Sequence, residues 1–281
     1  MTLARVAAAA RSAAALPFVL GVAAIDVDDG RAIGVDDTVV LPVASTAKLL
    51  LLAEVARRID AGELDPAAPV ELDPADPVHG TGLLVRLGRT GWTLGDLALL
   101  TAAVSDNTAT NALLRLVGTE STGRLARRLA LGELTVHDRV RDHRGPGDPP
   151  VFATGTARAL AELAAHTARG TLVTPGASRL LLGWMRANTD HGLAPALAVH
   201  DPYTEDFPVP PPGVLLVANK TGTDPGVRAD TGVFIGARRV AYAIVAHWDT
   251  ALGESTERAA VHAIRDVGRT LAEYAATPGA P

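Results

Sequence analysis

Only two of the 26 basic residues in this chain are lysines, Lys48 and Lys220, and each lies in a short motif of reactive side chains. Lys48 follows Ser45 by three positions in a Ser-Thr-Ala-Lys segment, and Lys220 begins a Lys-Thr-Gly segment. An arginine side chain stays protonated, whereas a lysine ammonium can lose its proton in a suitable site. The positions of the two lysines therefore indicate proton-transfer chemistry.

The first motif lies at the start of a predicted buried helix. Residues Leu49 to Ile59 are apolar on every face, which is typical of a helix inside the fold. Free N–H groups at its start would favour an alkoxide or a developing oxyanion at Ser45. Lys48 would share the face of Ser45, and its burial would disfavour the ammonium, so that Lys48 could accept the Ser45 proton. A serine cap followed by an exposed lysine remains the alternative for this motif alone.

Two further motifs carry groups that suit such a site. Residues 105–107 read Ser-Asp-Asn between two predicted helices, and residues 220–223 read Lys-Thr-Gly-Thr on a predicted strand. Gly222 would let the strand backbone come close to a ligand, while the lysine and threonine offer groups that bind a carboxylate. Taken singly, the second motif predicts a helix cap and the third an ordinary strand end.

Composition restricts the possible classes of protein. At 281 residues and 48% hydrophobic, the chain can form one large domain or two closely packed ones. A net charge of −5 with dispersed arginines argues against nucleic acid and anionic membranes as partners. The chain has no cysteine, which excludes disulfides, thiolate nucleophiles and cysteine metal sites. We expect no cofactor, no metal and a monomeric protein.

The alanine-rich N-terminus is similar in composition to a signal peptide, but Arg11 interrupts the apolar run from Ala7 to Ala24. We interpret it as a helix from Leu3 to Ala15 followed by a strand from Phe18 to Val27. No apolar stretch reaches the length of a membrane span. The expectation is a soluble, cytoplasmic protein, or a secreted or periplasmic one if a signal peptide has been trimmed.

The periodicity predicts strands at both chain ends and helices between them. The strand from Phe18 to Val27 is expected to turn at residues 28–30 into a second strand, and this hairpin and the later strands would form a five-stranded, mostly antiparallel sheet in an α/β (α+β) fold. We expect a sheet domain of residues 1–40 plus 205–281, a helical domain of residues 41–204, and a site in the cleft between them. The later helices are predicted at Thr93–Val104, Thr108–Val117, Thr156–His166, Ser178–Ala187 and Glu254–Tyr274, and the later strands at Val214–Ala218, Thr231–Gly236 and Val240–His247.

Together and in this order, the three motifs resemble those of the penicillin-recognising serine enzymes, and most closely those of the class A β-lactamases. The similarity extends over almost the whole chain. It includes a Gly-Thr-Gly-Leu-Leu segment at residues 80–84 and the pattern from Leu94 to Leu100 ahead of the second motif. The resemblance implies the β-lactamase/transpeptidase-like fold, with a mixed sheet domain and a helical domain.

The resemblance also implies roles for the residues that match. Ser45 would attack a carbonyl carbon and become acylated, with Lys48 as acceptor or organiser of its proton. Ser105 would pass a proton to the leaving nitrogen, and Asn107 would hold the substrate's side-chain amide and steady Lys48.

The third motif would bind and polarise the substrate. Lys220 would supply positive potential near the second motif. Thr221 would bind a substrate carboxylate. Arg228 would either assist it, because its planar fork suits that group, or be an ordinary exposed arginine with no part in binding. The backbone N–H groups of Ser45 and Thr223 would form an oxyanion hole.

One family feature is missing from this sequence. Class A β-lactamases carry a Glu-x-x-Leu-Asn loop whose glutamate activates the water that removes the acyl group. Counting back from the Pro-Gly-Asp-Pro segment at residues 146–149 places Asp138 at the glutamate position and Asp142 at the asparagine position. Asp138 is one methylene shorter than glutamate, and general-base catalysis depends on reach. His137 or His143 could substitute, or all four could be solvated loop residues.

Three functions remain open at this point. The first is a serine hydrolase that cleaves β-lactams, which are cyclic amides, through an acyl-enzyme. The second is an esterase, an amidase or a transacylase in a biosynthetic pathway, and the third is a penicillin-binding sensor that acylates without turnover. For each we expect a small-molecule substrate with a carboxylate and an amide or ester carbonyl.

Overall fold

The computed structural model describes residues 2–13, 15–89, 91–196 and 210–278. Its centre is an antiparallel sheet in the order β2-β1-β10-β9-β8, which confirms the predicted sheet built from both chain ends. The five strands are β1 Val19–Asp26, β2 Ala32–Val35, β8 Val214–Asp224, β9 Val227–Gly236 and β10 Arg239–His247.

The two terminal helices, α1 (Leu3–Ser12) and α8 (Gly253–Ala276), cover one face of this sheet. Phe234 and Tyr242 stack there with ring centroids 5.0 Å apart and belong to the apolar core of this layer. The prediction that α1 reaches Ala15 is wrong. The helix ends at Ser12 because the next residue, Ala13, closes a turn with Ala10, and the chain then turns towards β1.

Helix α2 (Lys48–Asp60) is the centre of the helical part, and each of its residues from Lys48 to Ala56 is buried. The all-round apolar pattern predicted this burial, since no face of the helix meets solvent over its first two turns. The other helices of this part are α3 Leu94–Ala103, α4 Asn107–Val117, α5 Thr119–Arg128, α6 Ala157–Arg169 and α7 Pro175–Arg186.

Several elements differ from the sequence-based expectation. Strand β8 continues to Asp224 and β9 already begins at Val227, so the whole Lys-Thr-Gly-Thr motif lies within a paired strand. Helix α5 was not predicted, and neither were two small sheets. These are β3-β7-β6 (Leu41–Pro42, Ala153–Gly155, Thr135–Val136) and β4-β5 (Pro69–Glu71, Gly91–Thr93).

The expected domain boundary between residues 204 and 205 lies outside the described residues, so the division into two domains stays a prediction. Helix α6 packs directly against strands β1, β9 and β10 of the sheet, whereas α2 packs among the other helices. Across the described ranges, no helix is both long enough and apolar enough to cross a membrane.

Candidate active site

Ser45 lies in a tight 3₁₀ turn, Ala44–Ala47, directly ahead of α2. Ala44 has a φ of 47°, a left-handed conformation that is uncommon for a residue with a side chain. Strand β8 runs against this turn at Gly222. A Cβ atom on Gly222 would lie 2.8 Å from the Val43 carbonyl oxygen and 3.2 Å from the Ser45 nitrogen. The glycine therefore lets the third motif approach the backbone of the nucleophile, and the expected close approach of this strand to a ligand stays a prediction.

Lys48 is fully buried at the start of α2, and its amine contacts the second motif. Its Nζ lies 2.8 Å from the Ser105 carbonyl oxygen, 2.7 Å from Asn107 Oδ1 and 3.1 Å from Ser105 Oγ. Within the described residues, no hydrogen bond joins Ser45 to Lys48. Ser45 and Ser105 instead line one cavity. Burial holds the pKa of Lys48 well below its usual value, and the charge of Lys220 lowers it further against the opposing influence of Asp106.

These contacts suit a neutral Lys48. A neutral amine has two N–H donors and one lone pair. The carbonyl oxygens of Ser105 and Asn107 can only accept, so they use both donors. In a neutral amine the lone pair then faces the third contact, the Ser105 hydroxyl 3.1 Å away, whereas an ammonium would donate to all three oxygens.

The second motif is held in an unusual backbone conformation. Ser105 has a φ of 56°, and its carbonyl oxygen also accepts a hydrogen bond of 2.7 Å from the Thr81 hydroxyl. Asp106 is buried and caps α4 by accepting from the Ala109 N–H, while its other carboxylate oxygen accepts from the backbone N–H of Leu83. The cap predicted for this motif is present, and it ties the loop before the motif to the site.

The third motif brings a second buried lysine to the site. Lys220 donates to the Thr221 carbonyl oxygen at 2.9 Å, and burial lowers its pKa to about 8 against the opposing charges of Asp190 and Asp230. At neutral pH Lys220 is therefore mainly protonated, which fits its predicted role as a source of positive potential.

Arg228 lies on β9 opposite Thr223, and it is not among the residues that line either cavity containing Ser45. Its guanidinium donates to the carbonyl oxygens of Asp224 and Val227 and to the Glu257 carboxylate, and it stacks 5.9 Å from the ring centre of Trp248. The interpretation of Arg228 as an ordinary structural arginine fits these contacts, and its carboxylate-binding role stays a prediction.

Two cavities open beside Ser45. The larger, of about 530 Å³, extends from Ser45 and Asn107 to the loop that follows residue 138. The smaller, of about 200 Å³, is enclosed by Ser45, Ser105 and the third motif, together with residues 188–190. The three motifs therefore meet at Ser45, with room for a small molecule on either side.

Asp138 is not among the residues that line either cavity. Its carboxylate is paired with Arg141, lies 3.7 Å from the Arg144 guanidinium and accepts from the Arg139 N–H. Partial burial favours a higher pKa for Asp138, but the hydrogen bonds from Arg141 and Arg139 outweigh it and lower the pKa. A carboxylate held in this way is a weak base, and its role in acyl release stays a prediction.

Asp142 does line the larger cavity, in contact with His79. The Oδ1 atom of Asp142 accepts from the His79 backbone N–H at 2.8 Å, and its Oδ2 lies 2.9 Å from the His79 ring Nδ1. Both contacts lower the pKa of Asp142. His137 instead contacts the Thr154 hydroxyl at 2.8 Å through its ring Nε2. Neither His137 nor His143 lines the cavities beside Ser45.

The model of the β-lactamase enzyme family, named Beta-lactamase2, matches residues 4–275 of this chain. The chain belongs to this family. The β-lactamase SME-1 of Serratia marcescens is 28% identical to this family member over 179 residues, which are 60% of this chain and 58% of the relative. The match thus spans somewhat more than half the length of that relative.

Solved structures show the same β-lactamase-family fold. A β-lactamase from Sphaerobacter thermophilus superposes with a TM-score of 0.83 at 24% identity, covering 99% of this chain and 100% of that one. A point mutant of PBP-A, described as an acyl-enzyme complex with penicillin G, superposes with a TM-score of 0.80 at 22% identity, covering 97% and 96%. At these identities the likeness establishes the fold.

Three site residues of this β-lactamase-family chain were missed by sequence reasoning. Thr81 lies within the Gly-Thr-Gly segment that supports the family resemblance, but its bond to Ser105 was not foreseen. His79 and Asp190 belong to none of the three motifs, and each contacts a residue far away in the chain, Asp142 and Thr221 respectively. The single available signal was the position of His79 directly before the Gly-Thr-Gly segment.

Proposed function

We propose that this protein is a serine hydrolase that forms a covalent acyl-enzyme on Ser45, with cyclic amides of the β-lactam class as acyl donors. The observation that carries the proposal is the buried Lys48 amine, whose two N–H groups meet the carbonyl oxygens of Ser105 and Asn107. Burial lowers the pKa of Lys48, and in the neutral amine the lone pair is left for a hydroxyl proton. The hydroxyl in contact with it is that of Ser105, which lines the same cavity as Ser45.

Acylation then proceeds through three proton transfers. Ser45 Oγ bonds to the lactam carbonyl carbon while its proton moves to Lys48, and the N–H groups of Ser45 and Thr223 receive the developing oxyanion. The lactam C–N bond breaks as its nitrogen takes the hydroxyl proton of Ser105, which regains one from the Lys48 ammonium. The 3.1 Å contact between Lys48 and Ser105 supports this last transfer.

The test is a time course of intact-protein mass with benzylpenicillin. We expect the mass to rise by one whole penicillin, because ring opening releases no fragment, and to return as water removes the acyl group. Ser45→Ala prevents the rise, whereas Ser255→Ala, which removes an exposed serine on α8, leaves it unchanged. If neither an adduct nor ring-opened penicillin forms with the unmodified protein, benzylpenicillin is refuted as an acyl donor.

A second candidate function is acylation with slow release or with transfer to another nucleophile, as in a penicillin-binding sensor or a transacylase. The arginine contacts of Asp138 favour it, since they occupy the carboxylate that the sequence aligns with the catalytic glutamate. A persistent adduct on Ser45 distinguishes a sensor from a hydrolase. An adduct that disappears only after an amine or alcohol is added indicates a transacylase. The PBP-A acyl-enzyme with penicillin G makes penicillin a suitable first probe.

A further inference from the structure

The smaller cavity beside Ser45 contains an acidic residue at the position where a substrate carboxylate is expected. Asp190 lies in the segment after α7, and it lines this cavity together with Lys220 and Thr221. Its Oδ2 accepts the Thr221 hydroxyl proton at 2.7 Å. The same hydroxyl is the group that the family resemblance assigns to the carboxylate of the substrate.

The contact between Thr221 and Asp190 changes what Thr221 can offer. A threonine hydroxyl has one proton to donate, and here Asp190 takes it. Thr221 then presents only oxygen lone pairs to the cavity, next to the oxygens of Asp190. Two neighbouring acceptors, one of them charged, repel a substrate carboxylate and attract a hydrogen-bond donor.

The Asp190 carboxylate is held in place by its own segment. Its Oδ1 accepts from the Gly192 N–H at 3.1 Å, and its carbonyl oxygen accepts from Asn188 Nδ2 at 2.7 Å. Asn188 in turn donates to Asn219 Oδ1 at 2.8 Å, next to the third motif on β8. Asp190 is therefore anchored at both its backbone and its side chain.

The positive charge around the smaller cavity does not exceed the negative charge of Asp190. Among the described residues that line this cavity, the one lysine or arginine is Lys220, and its amine donates to the Thr221 carbonyl oxygen. Arg228 is paired with Glu257 outside the cavity. One aspartate therefore faces one lysine, which leaves this cavity without the excess positive charge that a carboxylate needs.

We propose that Asp190 selects acyl donors that carry an uncharged or positively charged hydrogen-bond donor, an amide or an ammonium group, where typical β-lactams carry a carboxylate. This inference rests on the proposed acylation of Ser45 and specifies its substrate class. It assigns Asp190 as a specificity-determining residue.

The test compares benzylpenicillin with its primary carboxamide, which differs only at that group. The rate of Ser45 acylation is measured by intact mass for the unmodified protein and for Asp190→Asn, which keeps an acceptor oxygen for Thr221. We expect the carboxylate-to-amide rate ratio to rise at least about tenfold in Asp190→Asn, because a like charge is removed. Asp249→Asn, which removes one exposed carboxylate outside both cavities, leaves the ratio unchanged. An equal change in both variants, or none in Asp190→Asn, overturns the inference.

A binding measurement separates this inference from the proposed function. The two penicillins are titrated into Ser45→Ala, with and without Asp190→Asn, and their affinities are measured by calorimetry. A shift of the affinity ratio towards the carboxylate in Asp190→Asn supports the acidic subsite even if Ser45 is never acylated. An unchanged affinity ratio, or affinities too weak to measure, would overturn the acidic subsite, whatever the outcome of acylation.

Discussion

The two sides of the site around Ser45 are built very differently. On the acylation side, Lys48 is fully buried and hydrogen-bonded to the second motif. On the loop side, the charged groups pair with one another: the side chains of Asp138 and Asp142 are 18% and 39% exposed, and that of His79 is 82% exposed. Burial lowers the pKa of the Lys48 amine, whereas the hydrogen-bond partners of Asp138 and Asp142 lower the pKa of those two carboxylates and make them weaker bases. These contacts therefore support the proposed acylation of Ser45 more than they support hydrolysis of an acyl-enzyme.

Lys48→Arg gives the largest expected effect. Arginine retains the positive charge but does not lose its proton, so the general base disappears. We expect acylation of Ser45 by benzylpenicillin to slow by about 10³-fold. Lys220→Arg is the matched control, because Lys220 is proposed to act through its charge, and it slows acylation far less. Similar losses in the two variants would contradict the distinction between the two lysines; thermal unfolding of both proteins checks that they fold.

Gly222→Ala tests the contact between β8 and the turn of Ser45. The added Cβ would lie 2.8 Å from the Val43 carbonyl oxygen and 3.1 Å from the Thr46 nitrogen, so the strand or the turn must shift. We expect acylation to slow by about 10²-fold, the size of losing one oxyanion donor. In Gly88→Ala the new Cβ has no described neighbour within 4 Å, and the acylation rate stays the same. Unchanged acylation in Gly222→Ala would show that this close approach is not needed.

The pH dependence of acylation also distinguishes the two lysines. Lys48 must be neutral, so the rate rises with pH through its lowered pKa. Lys220 must be protonated, so the rate falls above its pKa of about 8, by about tenfold per pH unit. Lys220→Arg removes this alkaline decline, because arginine stays protonated. A decline that survives in Lys220→Arg assigns the alkaline limb to another group. The measurement is the initial acylation rate between about pH 5 and 10.

Part of the acylation side could be predicted because its determinants are local. Ser45 and Lys48 are three residues apart around the start of α2, and Ser105 and Asn107 are two apart at the start of α4, so spacing predicts each pair. The contact of Lys48 with Ser105 and Asn107 joins residues 57 and 59 positions apart, and it was expected from the family resemblance instead. The all-round apolar pattern predicted the burial of Lys48 with its helix.

Contacts between distant segments could not be predicted in this way. His79 and Asp142 are 63 positions apart, and Asp190 and Thr221 are 31 apart, with no motif to pair them. Helix α5 was missed because its residues, Thr119–Arg128, are mostly polar, so that no strong apolar period marks them.

Asp138→Asn gives the smallest expected effect and addresses the loop side. The paired carboxylate has a lowered pKa and does not line the cavity, so the rate of acyl release falls by less than about tenfold. The measurement is the return of the intact mass after excess penicillin is removed. His79→Gln is the comparison, since His79 lines the cavity that Asp138 does not. A loss of about 10²-fold or more in Asp138→Asn would mean that Asp138 leaves its arginine partners in the acyl-enzyme, and that the loop side is as specialised for catalysis as the acylation side.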